Sequence, residues 1–160
     1  MGVPVGEYEN LDRDLFPIIR QFLEGLAFLH SKCVAHLDLK PSHLLVNKDG
    51  SVFIIDYDLS RRFKDTTQVW SGYQGTSGFS APEVDEGKTY NPFLADVWSA
   101  GCVIYELCDF CGFCEVVEFL TGVAEKMMDE EPSRRPSLQD TIQEIVDYNA
   151  RTPRERSNNV

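Results

Sequence analysis

A chain of 160 residues with 42% hydrophobic content is long enough to bury one core and too apolar to be a disordered segment. A net charge of −11 with scattered basic residues excludes a phosphate-tracking nucleic-acid surface, and no apolar run is long enough to span a bilayer. Met1-Gly2-Val3-Pro4 leads into no apolar core and the five cysteines are an odd number, so the chain reads as intracellular, cytoplasmic or nuclear, rather than secreted.

In chain order, the first predicted element is a helix from Asp14. Leu15, Ile19, Phe22, Leu23, Leu26, Ala27 and His30 recur at helical spacing and form one apolar stripe. Asp14 is the expected cap, which would place Pro17 in the first turn, where proline is tolerated. Leu44-Leu45-Val46 and Val52-Phe53-Ile54-Ile55 flank Asn47-Lys48-Asp49-Gly50 and predict a β-hairpin. Residues 59–92 are rich in Ser, Thr, Gly and Asp with little periodicity, as expected of a functional or mobile segment. A helix over about residues 92–107 is apolar on most sides and belongs in the middle of the domain. Two more helices are predicted over 115–130 and 137–149, separated by Glu131-Pro132-Ser133-Arg134-Arg135-Pro136. The expected fold is mainly α with one small hairpin, a single domain over 1–149 followed by a flexible tail over 150–160.

Two carboxylates sit at the two ends of the predicted hairpin. Asp38 lies in His36-Leu37-Asp38-Leu39-Lys40-Pro41-Ser42-His43, and Asp56 in Asp56-Tyr57-Asp58. Carboxylates so placed can converge on one point, one accepting a proton from a hydroxyl and the other holding a cation against phosphates. Lys40, two residues beyond Asp38, can offset charge on a transferring phosphoryl group. An exposed ion pair on a loop has the same pattern. Cys108, Cys111 and Cys114 make a C-x₂-C-x₂-C run, compatible with part of a metal or redox motif or with a shortened loop carrying thiols; the lack of a fourth ligand nearby favours the loop.

The segment from His36 to His43 resembles the protein kinase catalytic loop H-R-D-L-K-P-x-N, and Asp56-Tyr57-Asp58 resembles D-F-G. Gly75-Thr76-Ser77-Gly78-Phe79-Ser80-Ala81-Pro82-Glu83 is similar to the end of a kinase activation segment. Asp96-Val97-Trp98-Ser99-Ala100-Gly101 is similar to the family's central buried helix, and Arg135-Pro136-Ser137 to the run before its last helix. In this order the motifs resemble the large, C-terminal lobe of a eukaryotic-type serine/threonine protein kinase. The resemblance implies ATP and Mg²⁺ as cofactors and a protein substrate; the charge and hydropathy above give the expectation of no nucleic acid or membrane partner. It implies Asp38 as the catalytic base, Lys40 on the γ-phosphate, and Asp56 on Mg²⁺ and nucleotide. Thr76 would shape the substrate site beside Asp38. Glu83 would brace the activation segment against Arg135, Asp96 would hold the catalytic loop from below, and His36 would pack on Tyr57. Lys40 and the Gly75-Thr76 pair resemble serine/threonine rather than tyrosine kinases.

Departures from the family pattern bear on activity. Leu37 stands where the family has an arginine that pairs with a phosphorylated activation loop. His43 stands at the second cofactor and metal position in place of Asn, and Asp58 in place of the D-F-G glycine, where it adds a carboxylate beside the metal site. The 160 residues contain no G-x-G-x-x-G loop, no V-A-I-K-like lysine and no helix carrying its partner glutamate. The resemblance therefore implies the large lobe without the β-rich N-terminal lobe, weakly active or inactive as an isolated chain. The alternative is a pseudokinase-like scaffold that binds a protein partner.

Overall fold

The computed structural model describes residues 2–151. The first strand, β1 (Val3–Pro4), precedes α1 (Leu11–Ser31). The helix starts earlier than Asp14 because Leu11 and Leu15 extend the same buried stripe as Ile18, Ile19, Phe22, Leu23 and Leu26. Asn10 is therefore the cap residue, and Pro17 lies beyond the first turn, where it withholds one helical hydrogen bond. The Asp14 carboxylate instead accepts the Tyr8 hydroxyl at 2.9 Å and the Arg13 guanidinium at 2.8 Å.

After α1 come β2 (Val34–Ala35), β3 (Leu44–Val46), β4 (Val52–Ile54) and β5 (Arg61–Arg62). The predicted hairpin is present, with Leu44, Leu45 and Val46 opposite Ile54, Phe53 and Val52. β1 adds a third antiparallel strand on its far side, and β2 pairs with β5 to tie the start of the 59–92 segment to the end of α1. These two-residue strands are too short to carry a periodic signal. That segment also holds the short helix α2 (Pro82–Asp85) and an isolated bridge between Trp70 and Tyr90.

The remaining helices are α3 (Pro92–Asp109), α4 (Glu115–Met127) and α5 (Leu138–Arg151). Pro92 opens α3, and the Asn91 side chain accepts from the Phe93 and Leu94 amides while donating to the Thr66 carbonyl at 2.8 Å. The helix thus starts where it also anchors the preceding loop. α3 is buried on most of its surface and packs closely on α4. At their crossing a Cβ on Gly101 would lie 2.8 Å from the Met128 side chain and 3.0 Å from the Ala124 carbonyl, so only glycine fits. The main core joins α1, α3, α4 and α5 to Leu39, Leu44 and Val46. A second cluster, including Leu37, Phe63, Val84, Tyr90 and Phe93, lies under the 59–92 segment. No described helix is long and apolar enough to cross a membrane. The fold is mainly α with small antiparallel sheets. α5 continues through Arg151, and residues 152–160 of the expected tail lie outside the described residues.

Arg135 joins the two parts of this architecture. Its guanidinium makes a two-pronged bond to Glu83, at 2.7 and 2.8 Å, and also donates to the Leu94 and Asp129 carbonyls. Its carbon lies 5.1 Å from the centre of the Trp98 ring. Both charged residues are buried, so each needs the other. Arg135→Ala leaves the Glu83 carboxylate without its counter-ion and is expected to lower stability by about 3–5 kcal/mol, measured by urea denaturation. Glu83→Gln in the same background is expected to recover part of that loss.

Candidate active site

The loop from His36 to His43 is built on one buried carboxylate. Asp96, 1% exposed near the start of α3, accepts the His36 amide at 2.7 Å and the Leu37 amide at 2.8 Å. His30, at the end of α1, contributes a third contact at 2.9 Å through Nε2. Leu37 sits at φ 67°, a left-handed conformation that costs a side-chain-bearing residue on the order of 1 kcal/mol. The Asp96 bonds and the burial of the Leu37 side chain hold it there. His36 is fully buried. Its Nδ1 accepts from the Asp38 amide and its Nε2 donates to the Ile55 carbonyl, so the ring is neutral and ties the Asp38 loop to the strand end before Asp56. Burial lowers its pKa from the ordinary histidine value, which agrees with that assignment. The Tyr57 ring lies against it with centroids 5.2 Å apart.

Asp38, Lys40 and Thr76 form a closed triangle. Thr76 Oγ1 donates to one Asp38 oxygen at 2.6 Å, and Lys40 Nζ reaches the other at 3.2 Å and Thr76 Oγ1 at 2.8 Å. Burial alone would raise the Asp38 carboxyl. The hydrogen bonds from Thr76 and Lys40, with the charge of Lys40, outweigh it and hold the group below the usual aspartate range. Gly75 makes the approach possible, since a Cβ there would lie 3.0 Å from Ser80 Oγ and 3.3 Å from the Leu37 carbonyl. Ser80 Oγ donates to the Thr76 carbonyl, and Ser99 Oγ of α3 to the Phe79 carbonyl, so the 75–80 turn is bonded to the helix beneath it.

Asp56 is exposed and adopts φ 62°. The left-handed position of this loop is thus the aspartate, while Asp58, which stands at the expected glycine, lies exposed in the following turn. His43 is 7% exposed and lies between the two carboxylate loops. Its Nδ1 is 2.8 Å from the Asp38 carbonyl, and its Nε2 is 3.1 Å from Asp56 Oδ2. The distance from Nδ1 to the Asp38 carboxylate is 3.6 Å. Mg²⁺ requires oxygen ligands in near-octahedral array. Here one carboxylate is already engaged, and both nitrogens of the neighbouring imidazole face oxygens. No group of three or more His, Cys, Asp or Glu among the described residues is placed to hold a metal ion. The donor set does not fit a resident Mg²⁺.

A family model for the protein kinase domain matches residues 11–115, which include the catalytic loop, the Asp56 loop and α3. The chain belongs to the protein kinase family. A probable cell division protein kinase of Encephalitozoon cuniculi (strain GB-M1) is 36% identical over 98 residues, covering 61% of this chain and 37% of that protein. The matched part of the chain thus spans about a third of that relative's length.

The structure brings together Asp38, Lys40, His43, Asp56 and Thr76, whereas Glu83 lies apart from them in its pair with Arg135. Reading the sequence missed the double contact of His43, since nothing in a single position signals that both ring nitrogens reach neighbouring loops. It missed His30 as well, which the helical spacing assigns to the core stripe. Of the three cysteines beyond α3, Cys108 is buried and Cys114 exposed. The Cys111 thiol is pushed up to about 12 by burial and by Asp12, which keeps it protonated at neutral pH.

Thr76→Val removes the shortest bond to Asp38 and keeps the shape of the side chain. The Asp38 carboxyl is expected to titrate at a higher pH in that variant, measured by carbon NMR; an unchanged titration contradicts the account. Because the folded chain depresses this group, the bonds stabilise the fold at pH above the ordinary aspartate value and are lost as pH falls through the folded one. The variant should therefore lose stability at neutral pH and differ less from the unaltered chain in acid.

Proposed function

We propose that the chain carries the catalytic-loop lobe of a protein serine/threonine kinase, which transfers the γ-phosphoryl group of ATP to a protein hydroxyl. The observation that supports this best is the Asp38 carboxylate, held ionised by Thr76 and Lys40 at the mouth of the 75–80 turn. In this role Asp38 orients the serine or threonine hydroxyl and takes its proton. The substrate oxygen then bonds to the γ-phosphorus, and the bond to the bridging oxygen of ADP breaks. Lys40, in contact with Asp38 and Thr76, offsets charge on the transferring group. On this reading the protein substrate lies across the 75–80 turn, and the setting is intracellular.

The 160 residues hold no glycine-rich loop and no second phosphate lysine in the family pattern. Phosphoryl transfer depends mainly on positioning, so the chain by itself is expected to turn over slowly. One observation favours the scaffold reading, in which a protein partner binds without transfer: the Asp56 carboxylate is engaged by His43.

Radiolabelled ATP offered with peptides containing serine, threonine or tyrosine separates the two readings. Slow transfer to serine and threonine, falling roughly 100-fold or more in Asp38→Asn, is expected of the kinase. Transfer that survives the substitution contradicts the role given to Asp38, and none by the unaltered chain favours the scaffold.

A further inference from the structure

The stretch from Trp70 to Thr76 ends on the hydroxyl that bonds Asp38, and it is pinned before it gets there. Trp70 exchanges both backbone hydrogen bonds with Tyr90, at 2.8 and 2.9 Å, and the two rings meet edge to face with centroids 5.9 Å apart. Tyr90 is buried in the same apolar cluster as Leu37, and its hydroxyl donates to the Gly72 carbonyl at 3.1 Å. The chain then turns against the Trp70 ring, so closely that a Cβ on Gly72 would lie 2.8 Å from it.

Arg61 closes this loop from the other side. Its guanidinium carbon lies 4.9 Å from the centre of the Trp70 ring, within cation–π range, and its Nε donates to Gln74 Oε1 at 3.3 Å. Arg61 is itself seated in β5 opposite Ala35, the residue before His36. One guanidinium therefore touches both ends of the 70–74 loop from a strand that leads into the catalytic loop. An exposed cation–π contact is weak by itself. Here it acts on a short loop already held at Tyr90, and the next residue, Gly75, packs on the Leu37 carbonyl just before Thr76 reaches Asp38.

We propose that Arg61 and Trp70 are positioning residues: their stack, locked to Tyr90, sets the place of the 75–80 turn and so brings Thr76 to Asp38. That this turn receives a protein hydroxyl rests on the kinase reading; its placement by the stack does not.

Amide exchange separates the two. Phe79 and Ser80 both donate to the Thr76 carbonyl, at 3.0 and 3.2 Å, so their amides report whether the turn stays closed. Arg61→Ala alters an exposed side chain and is expected to speed exchange at Phe79 and Ser80 roughly three- to tenfold, while the α4 amides keep their rate. Trp70→Ala is expected to act in the same direction and more strongly. Trp70→Phe keeps a ring between Arg61 and Tyr90 and is expected to recover most of the protection. If Trp70→Ala does not fold, Arg61→Ala decides alone. Unchanged exchange at Phe79 and Ser80 in Arg61→Ala overturns the proposal, as does an equal acceleration throughout α4, which marks a general loss of stability. Where the unaltered chain transfers phosphate, Arg61→Ala is expected to raise the peptide KM more than the ATP KM. A released turn with both KM values unchanged contradicts the kinase reading of the turn and leaves the stack standing.

Discussion

The arrangement of the whole site rests on the buried carboxylate of Asp96. It lies at the point where the end of α1, the start of α3 and the catalytic loop meet, and it accepts from His30 and from two successive backbone amides. A carboxylate in an apolar core is costly unless its oxygens are satisfied, and here three donors satisfy them. In return the amides of His36 and Leu37 are fixed, which turns Leu37 into its left-handed conformation and directs Asp38 toward Thr76. α3 is itself placed by Gly101 against α4 and by Asn91 at its start. Helix packing and loop geometry are therefore one problem solved at one residue.

Above that anchor, paired charges do the organising. Arg135 closes the far end of the 59–92 segment through Glu83, inside the protein, where an unmatched charge would be severe. Lys40 and Thr76 hold Asp38. His43 spans the gap to Asp56. Leu37, where the family has an arginine, packs instead in the apolar cluster with Phe63, Tyr90 and Phe93, so this part of the segment is held by burial. On the proposed reading, the proton-accepting group is Asp38 with its Lys40 and Thr76 contacts, and an imidazole, His43, lies beside Asp56.

Much of this was legible in the residues, for identifiable reasons. The stripe through Leu15, Ile19, Phe22 and Leu26 and the all-round apolarity of 92–107 predict the two central helices, because burial imposes period and composition. Asp38, Lys40, Asp56 and Thr76 were expected in one site through the resemblance of their ordered motifs to the protein kinase family, not through spacing alone. What escaped depended on geometry between loops. The start of α1 was missed because an early leucine looks like loop until its partner in the core is known. The strands at 34–35 and 61–62 are too short for alternation to appear. The role of His43 is visible only when both ring nitrogens can be seen to face oxygens. The left-handed residue of the Asp56 loop falls on the aspartate, a backbone property that side-chain chemistry does not announce.

Amide hydrogen exchange at His36 and Leu37, compared between the unaltered chain and Asp96→Asn, tests the anchoring role of Asp96 most directly. The substitution keeps the size of the side chain but replaces one accepting oxygen with a donor. Both amides are expected to be strongly protected in the unaltered chain and to exchange on the order of 10- to 100-fold faster in the variant, with the exchange of the α4 amides little changed. Unchanged protection at 36 and 37 would contradict the account, because the catalytic loop would then be held by something other than Asp96.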